Sequence, residues 1–165
     1  MPNADELFKV LGPGREATHG GRGVWPVPGE WLRVTGDLVP CGNGLHVCRH
    51  RDLPLWLREG AWVWRVEVND RFKRVVEPDK VVVREARLTE PVGVLTPRVL
   101  RLFAADCAEQ VAHLHGHHPV CMTAIRVARL FAHGVATDAR RAAAQAAAWD
   151  AAWNAARQAQ AGAAA

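Results

Sequence analysis

Apolar and polar residues alternate most cleanly from Gly44 to Cys48, where Leu45 and Val47 fall on one face of an expected strand and His46 and Cys48 on the other. The same period of two returns over residues 61–68. There Trp62, Trp64, Val66 and Val68 oppose Val63, Arg65 and Glu67, which predicts a half-buried strand with its tryptophans inward. Between these strands Asp52 reads as an N-cap and Pro54 as a first-turn residue, and Leu53, Trp56 and Leu57 share one face at i, i+3, i+4. The pattern therefore predicts one short inserted helix, stopped by Gly60. Shorter strands are expected at residues 31–34, 37–40 and 72–76, and residues 80–88 read as a single last strand covered on much of both faces. Leu7, Phe8, Val10 and Leu11 are too short a group to separate a strand from a helical turn, and the chain before Cys41 reads as a lid.

After residue 94 the period changes. Thr96-Pro97 is an N-cap with proline at the first helical position, and Val99, Leu100, Phe103, Cys107, Val111 and Leu114 recur at helical spacing as a core face. Pro119 opens a second helix carrying Val120, Ile125, Val127, Leu130 and Phe131, and Gly134 closes it. Thr137-Asp138 caps a third, alanine-rich helix that is expected to dock through Trp149 and Trp153 and to fray toward Ala165. The fold class is thus α+β: a small, mainly antiparallel sheet with one inserted helix, followed by a C-terminal layer of about three helices. We divide the chain into a β-rich part at 1–94 with a glycine-rich N-terminal loop, a helical pair at 95–134 packed on the same core, and the alanine-rich helix at 135–165.

Composition narrows the function classes. At 165 residues and 49% hydrophobic, the chain suits one compact domain with a full core and leaves room for an appendage. The net charge of +4, from 21 Lys+Arg against 17 Asp+Glu, admits an anionic ligand, but without a basic cluster it argues against nucleic acid. No apolar run reaches the roughly 18 residues a membrane span needs, and the first residues lack a signal peptide's pattern. A cytoplasmic protein is expected, in the host cytoplasm if phage-encoded. The four cysteines then read as reduced thiols.

The glycines of residues 12–23 match neither a Walker nor a dinucleotide fingerprint, so they wrap a ligand or cross the surface. Cys41, His46, Cys48 and His50 form one cluster of metal-ligating types, and His113, His115, His117, His118 and Cys121 a second. Neither has the paired spacing of a zinc site, and no metal is expected. A Cys/His nucleophilic pair at Cys48 or Cys41 gives way to a structural thiol.

The run from Gly20-Gly21 through PGEWLRVTGDLVPCGNGLHVC, then DKVVVREARL and RLFAADCAE, resembles a family of small bacteriophage and actinobacterial proteins that share a Gly-x-His-x-Cys strand. The match covers roughly residues 19–112 and by itself implies no activity. The order of elements is also similar to the rifamycin-modifying ADP-ribosyltransferases, with His19-Gly20, His46, Trp56 and the turn VVEPDKV in corresponding places. That resemblance implies attack on the ribose of NAD through an oxocarbenium-like transition state. His19 would hold the nicotinamide ribose and His46 would line the nicotinamide pocket in place of a tyrosine. Glu77 or Asp79 would stabilise positive charge, while Gly20, Gly21 and Trp56 would contact the cofactor. The expected function is a nucleotide-binding cleft, ADP-ribosyltransferase-like and NAD-dependent. The competing expectation is an accessory protein that binds a host or phage protein, or itself, through the tryptophan-bearing helix.

Overall fold

The apolar run that the pattern presents as one last strand is broken at Arg84, and the break lets one stretch of chain serve two parts of a sheet. The computed structural model describes residues 6–163. The chain divides into two units, Met1–Thr96 and Pro97–Ala165. In the first unit the strands are β1 (Leu7–Leu11), β2 (Leu32–Arg33), β3 (Leu45–Arg49), β4 (Trp62–Val68), β5 (Val75–Val76), β6 (Val81–Val83) and β7 (Glu85–Val94). They form one seven-stranded sheet in the order β2-β7-β4-β1-β3-β6-β5, with every pairing antiparallel. β6 pairs with β3 and β5, whereas β7 pairs with β4 and β2, so the expected single strand at 80–88 is two strands with different neighbours.

The group Leu7–Leu11 is not part of a lid. It is the central strand, and Leu7 and Leu11 join Leu45, Val47, Val81, Val83, Leu88 and Trp25 in the hydrophobic core. β1 pairs with β4 along its whole length but with β3 only at Leu7↔Arg49 and Phe8↔Cys48. Beyond Phe8 the ladder between β1 and β3 stops, and this parting of two neighbouring strands shapes the site described below.

Three other expectations are corrected. Residues 37–40 are not a strand: the Asn43 side-chain amide donates to the carbonyls of Thr35 and Asp37 at 2.7 and 2.8 Å, and Val39 bridges Asn43, so local capture of the backbone replaces a ladder. The strand expected at 72–76 shrinks to Val75–Val76. The inserted helix is a 3₁₀ segment, His50–Trp56, with Arg49 rather than Asp52 at its N-cap. Asp52, 6% exposed, turns its carboxylate onto Arg49 instead of capping. That guanidinium also donates to the carbonyls of Glu77 and Pro78 at 2.9 and 2.8 Å, which fastens the 77–79 turn to the 3₁₀ segment.

The second unit contains α1 (Pro97–Gln110), α2 (Pro119–Ala132) and α3 (Asp138–Ala163). Proline opens α1 and α2, where its missing N–H would have had no helical partner, and the Thr137 hydroxyl caps α3 by accepting from Arg140 N–H at 3.2 Å. Phe131 lies between the guanidinium groups of Arg101 and Arg141, with centroid distances of 4.9 and 5.3 Å, and Arg129 reaches from α2 to Asp106 and Glu109 of α1. The core face expected for α1 is misplaced. Val99, Phe103, Cys107, Val111 and Leu114 are exposed, while Ala105 is buried, because small side chains let helices approach closely and leave larger neighbours at the rim. Trp149 and Trp153 are 73% and 58% exposed and do not dock α3. The expected fraying concerns Ala164 and Ala165, which lie outside the described residues. Among the described residues no helix is long and apolar enough to cross a membrane.

Candidate functional site

Where β1 and β3 part, the sheet leaves backbone groups without a ladder partner. One of them, the His46 carbonyl, accepts a hydrogen bond from the Lys9 ammonium at 2.7 Å, so a side chain substitutes for the missing strand bond. The opening beside it is a cavity of about 700 Å³, in the size range of small-molecule sites. Its walls include His19, Gly20 and Gly21 from the loop after β1, His46 from β3, Trp56 from the 3₁₀ segment and Lys80 from the start of β6.

The glycine-rich loop is ordered by its own backbone. Ala17 N–H donates to Gly23 O at 3.0 Å, Trp25 N–H to Arg15 O at 2.9 Å, and Arg58 reaches Thr18 O at 2.7 Å. Gly20 takes φ +77°, a conformation glycine adopts without strain. This holds His19, whose ring meets Trp56 edge-on at 5.2 Å and whose Nδ1 lies 2.9 Å from the Thr18 hydroxyl. Partial burial of the ring, then Lys9 and Arg58, push His19 below the usual histidine value.

His46 is fixed by a different contact. Its Nε2 accepts the backbone N–H of Cys41 at 3.0 Å, which places the proton of the neutral ring on Nδ1. Desolvation lowers its pKa, Lys9 and Lys80 lower it further, and Asp79 opposes them. Both imidazoles are therefore neutral bases at physiological pH.

Glu77 and Asp79 are placed differently. Neither is among the described residues lining the cavity. The Asp79 carboxylate faces Lys80 at 3.3 Å, and its backbone carbonyl takes the Trp56 indole N–H at 2.9 Å. Glu77 contributes backbone contacts, donating to Lys80 O and accepting from Arg49. The acidic turn thus supports the wall through Trp56 and Lys80. Burial works against the Lys80 ammonium, but Asp79 and then Cys41 outweigh it and raise its pKa.

Lys9 is the residue the sequence pattern missed. It sits between Leu7 and Leu11 on a strand, where a lysine reads as a solvated position. Here it is half-buried, 5.8 Å from the Trp25 ring centroid, and desolvation takes its pKa down to about 8, opposed by Cys48. One signal was available: only three of the 21 basic residues are lysines. Cys48 is buried, donates its thiol toward Phe8 O at 3.6 Å, and is pushed up to about 12 by burial, which makes it a poor nucleophile. Among the described residues no three His, Cys, Asp or Glu side chains gather as a metal-binding group; the His115 side chain lies outside that description.

The charged side chains lining the cavity, among the described residues, are Lys9, Arg22 and Lys80, and none is a carboxylate. Chemically the arrangement can hold an anion against cations and glycine backbone, stack an aromatic on Trp56, and present the neutral His19 ring together with the Nδ1–H of His46 as a donor. The chain matches no protein-family model, no curated protein and no solved structure.

Proposed function

We propose that the first unit is a nucleotide-binding module whose cavity takes NAD. The observation that carries this reading is one cavity in which His19, His46 and Trp56 stand with Lys9, Arg22 and Lys80, and among the described residues no lining carboxylate repels a phosphate. The glycines at 20 and 21 let a pyrophosphate approach the backbone closely. The resemblance to rifamycin-type ADP-ribosyltransferases selects NAD among nucleotides, with His19 toward the nicotinamide ribose and His46 toward the nicotinamide. Transfer chemistry would draw its carboxylate from Glu77 or Asp79, and Asp79 would have to leave Lys80 to reach the ribose.

Thermal unfolding with increasing NAD tests the binding step, since a ligand at a hundredfold excess over its Kd adds about 2.7 kcal/mol to the folded state. We expect a rise in Tm that is reduced in Lys80→Ala and Trp56→Ala. No shift at millimolar NAD overturns the reading. Release of nicotinamide that is lost in Asp79→Asn, with binding kept, would support transferase chemistry.

A second reading rests on α3. Trp149 and Trp153, one turn apart and both exposed, suit a protein partner or a second copy of the chain. Sedimentation of the wild type beside Trp149→Ala/Trp153→Ala separates these: a smaller mass in the variant supports self-association, and an equal mass removes it.

A further inference from the structure

We propose that Lys9 is a carbonyl-reactive amine, which forms an imine with a small anionic aldehyde or ketone admitted to the cavity between β1 and β3. The proposal shares the cavity with the nucleotide reading but does not rest on it. It needs only that the cavity admit a small oxo acid or oxo phosphate.

Four observations converge. Lys9 lies on the central strand, so its Cα is held by the complete β1–β4 ladder rather than by a loop. Its ammonium has the His46 carbonyl as hydrogen-bond acceptor, and among the described residues no carboxylate lies within ion-pair distance to hold the proton. The groups facing it are the Trp25 ring, the Cys48 thiol and the imidazoles of His19 and His46, all neutral at physiological pH. Consistent with that surrounding, desolvation lowers its pKa to about 8, whereas Lys80 in the same cavity is raised by Asp79 and Cys41 and stays an ammonium.

The two lysines therefore divide the work of one site. The neutral Lys9 amine attacks the carbonyl carbon; the C–N bond forms, the carbonyl π pair moves to oxygen, and as the nitrogen gives its first proton to solvent the oxygen takes one up, which gives a carbinolamine. Loss of that oxygen as water, with release of the second amine proton, leaves the imine. The balance is amine plus carbonyl giving imine plus water, with no oxidant or further reactant. Lys80 and Arg22, which line the same cavity, are placed to receive the carboxylate or phosphate of the substrate.

The chain's three lysines make the test internal to the wild-type protein. The full chain is incubated with glyoxylate at pH 8, trapped with borohydride, and the reduced adducts are located by peptide mass spectrometry. At that pH roughly half of Lys9 is neutral, against well under 1% of an ordinary lysine, about a hundredfold difference in reactive fraction. Allowing for the lower nucleophilicity of a less basic amine, Lys9 is expected to label at least about tenfold faster than Lys73 and Lys80. Acetaldehyde, which lacks the anionic group, is expected to label Lys9 several-fold more slowly than glyoxylate at equal concentration. The Lys9→Arg variant keeps a cationic donor for His46 O and should lose the adduct with its Tm little changed. Labelling of Lys73 or Lys80 as fast as Lys9 overturns the proposal, and equal rates with acetaldehyde overturn its anionic substrate class. A missing NAD-induced Tm shift alongside selective Lys9 labelling removes the nucleotide reading alone.

Discussion

Replacing Lys9 by methionine isolates the consequence of placing an amine where two strands part. In the folded chain the Lys9 pKa falls from 10.5 to about 8, which corresponds to about 3 kcal/mol against the ammonium. Lys9 is half-buried and keeps some solvent, so about 2 kcal/mol is the expected effect on stability. Its sign follows from proton counts. Below pH 8 both folded and unfolded chains carry the proton and the folded state bears the full penalty. Between about 8 and 10.5 the unfolded chain binds more protons, so stability rises with pH, and above 10.5 the penalty is gone. Cys48 acts oppositely: its pKa is raised from 9.0 to about 12, so it stabilises fully below 9.0 and loses that contribution as pH climbs toward 12. Lys9 itself lowers the Cys48 pKa, so Lys9→Met pushes that thiol further up and the Cys48 trend cancels only in part between the two proteins. The assay is urea unfolding of both proteins from pH 7 to 10.5, in a Trp149→Phe/Trp153→Phe background so that fluorescence reports only tryptophans of the first unit. The wild type should gain about 2 kcal/mol on Lys9→Met across that range, about 1 M in urea midpoint for a typical urea dependence. A difference that stays flat within about 0.5 kcal/mol would show that Lys9 is solvated rather than held between the Trp25 ring and the His46 carbonyl.

Three further outcomes check other parts of the first unit. A thiol reagent should label Cys41 and Cys107 quickly in the native protein and Cys48 only after denaturation, because Cys48 is buried and its pKa stands near 12; labelling of all three at one rate would mean that the paired end of β1 and β3 opens readily. Gly44→Ala should lower stability by about 2–3 kcal/mol in urea unfolding, since the added Cβ would lie 2.3 Å from Val82 Cγ1 and the backbone holds φ +140°; a loss under about 0.5 kcal/mol would contradict the β3–β6 register. Asp52→Asn keeps the shape but removes the charge opposite Arg49 and should destabilise by about 2–3 kcal/mol near neutral pH, with an unchanged midpoint arguing against the clamp on the 77–79 turn.

The sheet was legible where its strands have one face to bury, because alternation then records the pleat directly, as at Leu45–Arg49 and Trp62–Val68. It was illegible at Leu7–Leu11, since a central strand needs apolar residues on both faces and four of them around Lys9 leave no period to read. The break at Arg84 was hidden for the same reason: Val81, Val82 and Val83 are all buried, so the change of partners leaves no mark on hydrophobicity. On α1 the error ran the other way. Large apolar residues at helical spacing drew the core to Val99 and Phe103, while the buried contact is made by alanine, which a pattern weighted by side-chain size passes over. At the site His19, His46 and Trp56 each carried a local signal, but the role of Lys9 depends on where a ladder ends, and no local pattern encodes that.

That last point bears on why the chain holds a lysine there at all. Arginine or glutamine could also donate to the His46 carbonyl, and methionine could fill the space beside Trp25 without a charge to desolvate. A penalty of about 2 kcal/mol is a large share of the 5–15 kcal/mol that stabilises a typical domain, and the Lys9 contacts with Trp25 and His46 O do not bring the pKa back to its ordinary value. Lys80, which lines the same cavity, has a carboxylate beside it and remains charged, so the cavity is not uniformly hostile to ammonium groups. The contrast is local: the parting of β1 from β3 creates one polar gap that only a long donor can fill, and of the long donors lysine alone combines that reach with a proton it can lose near neutral pH.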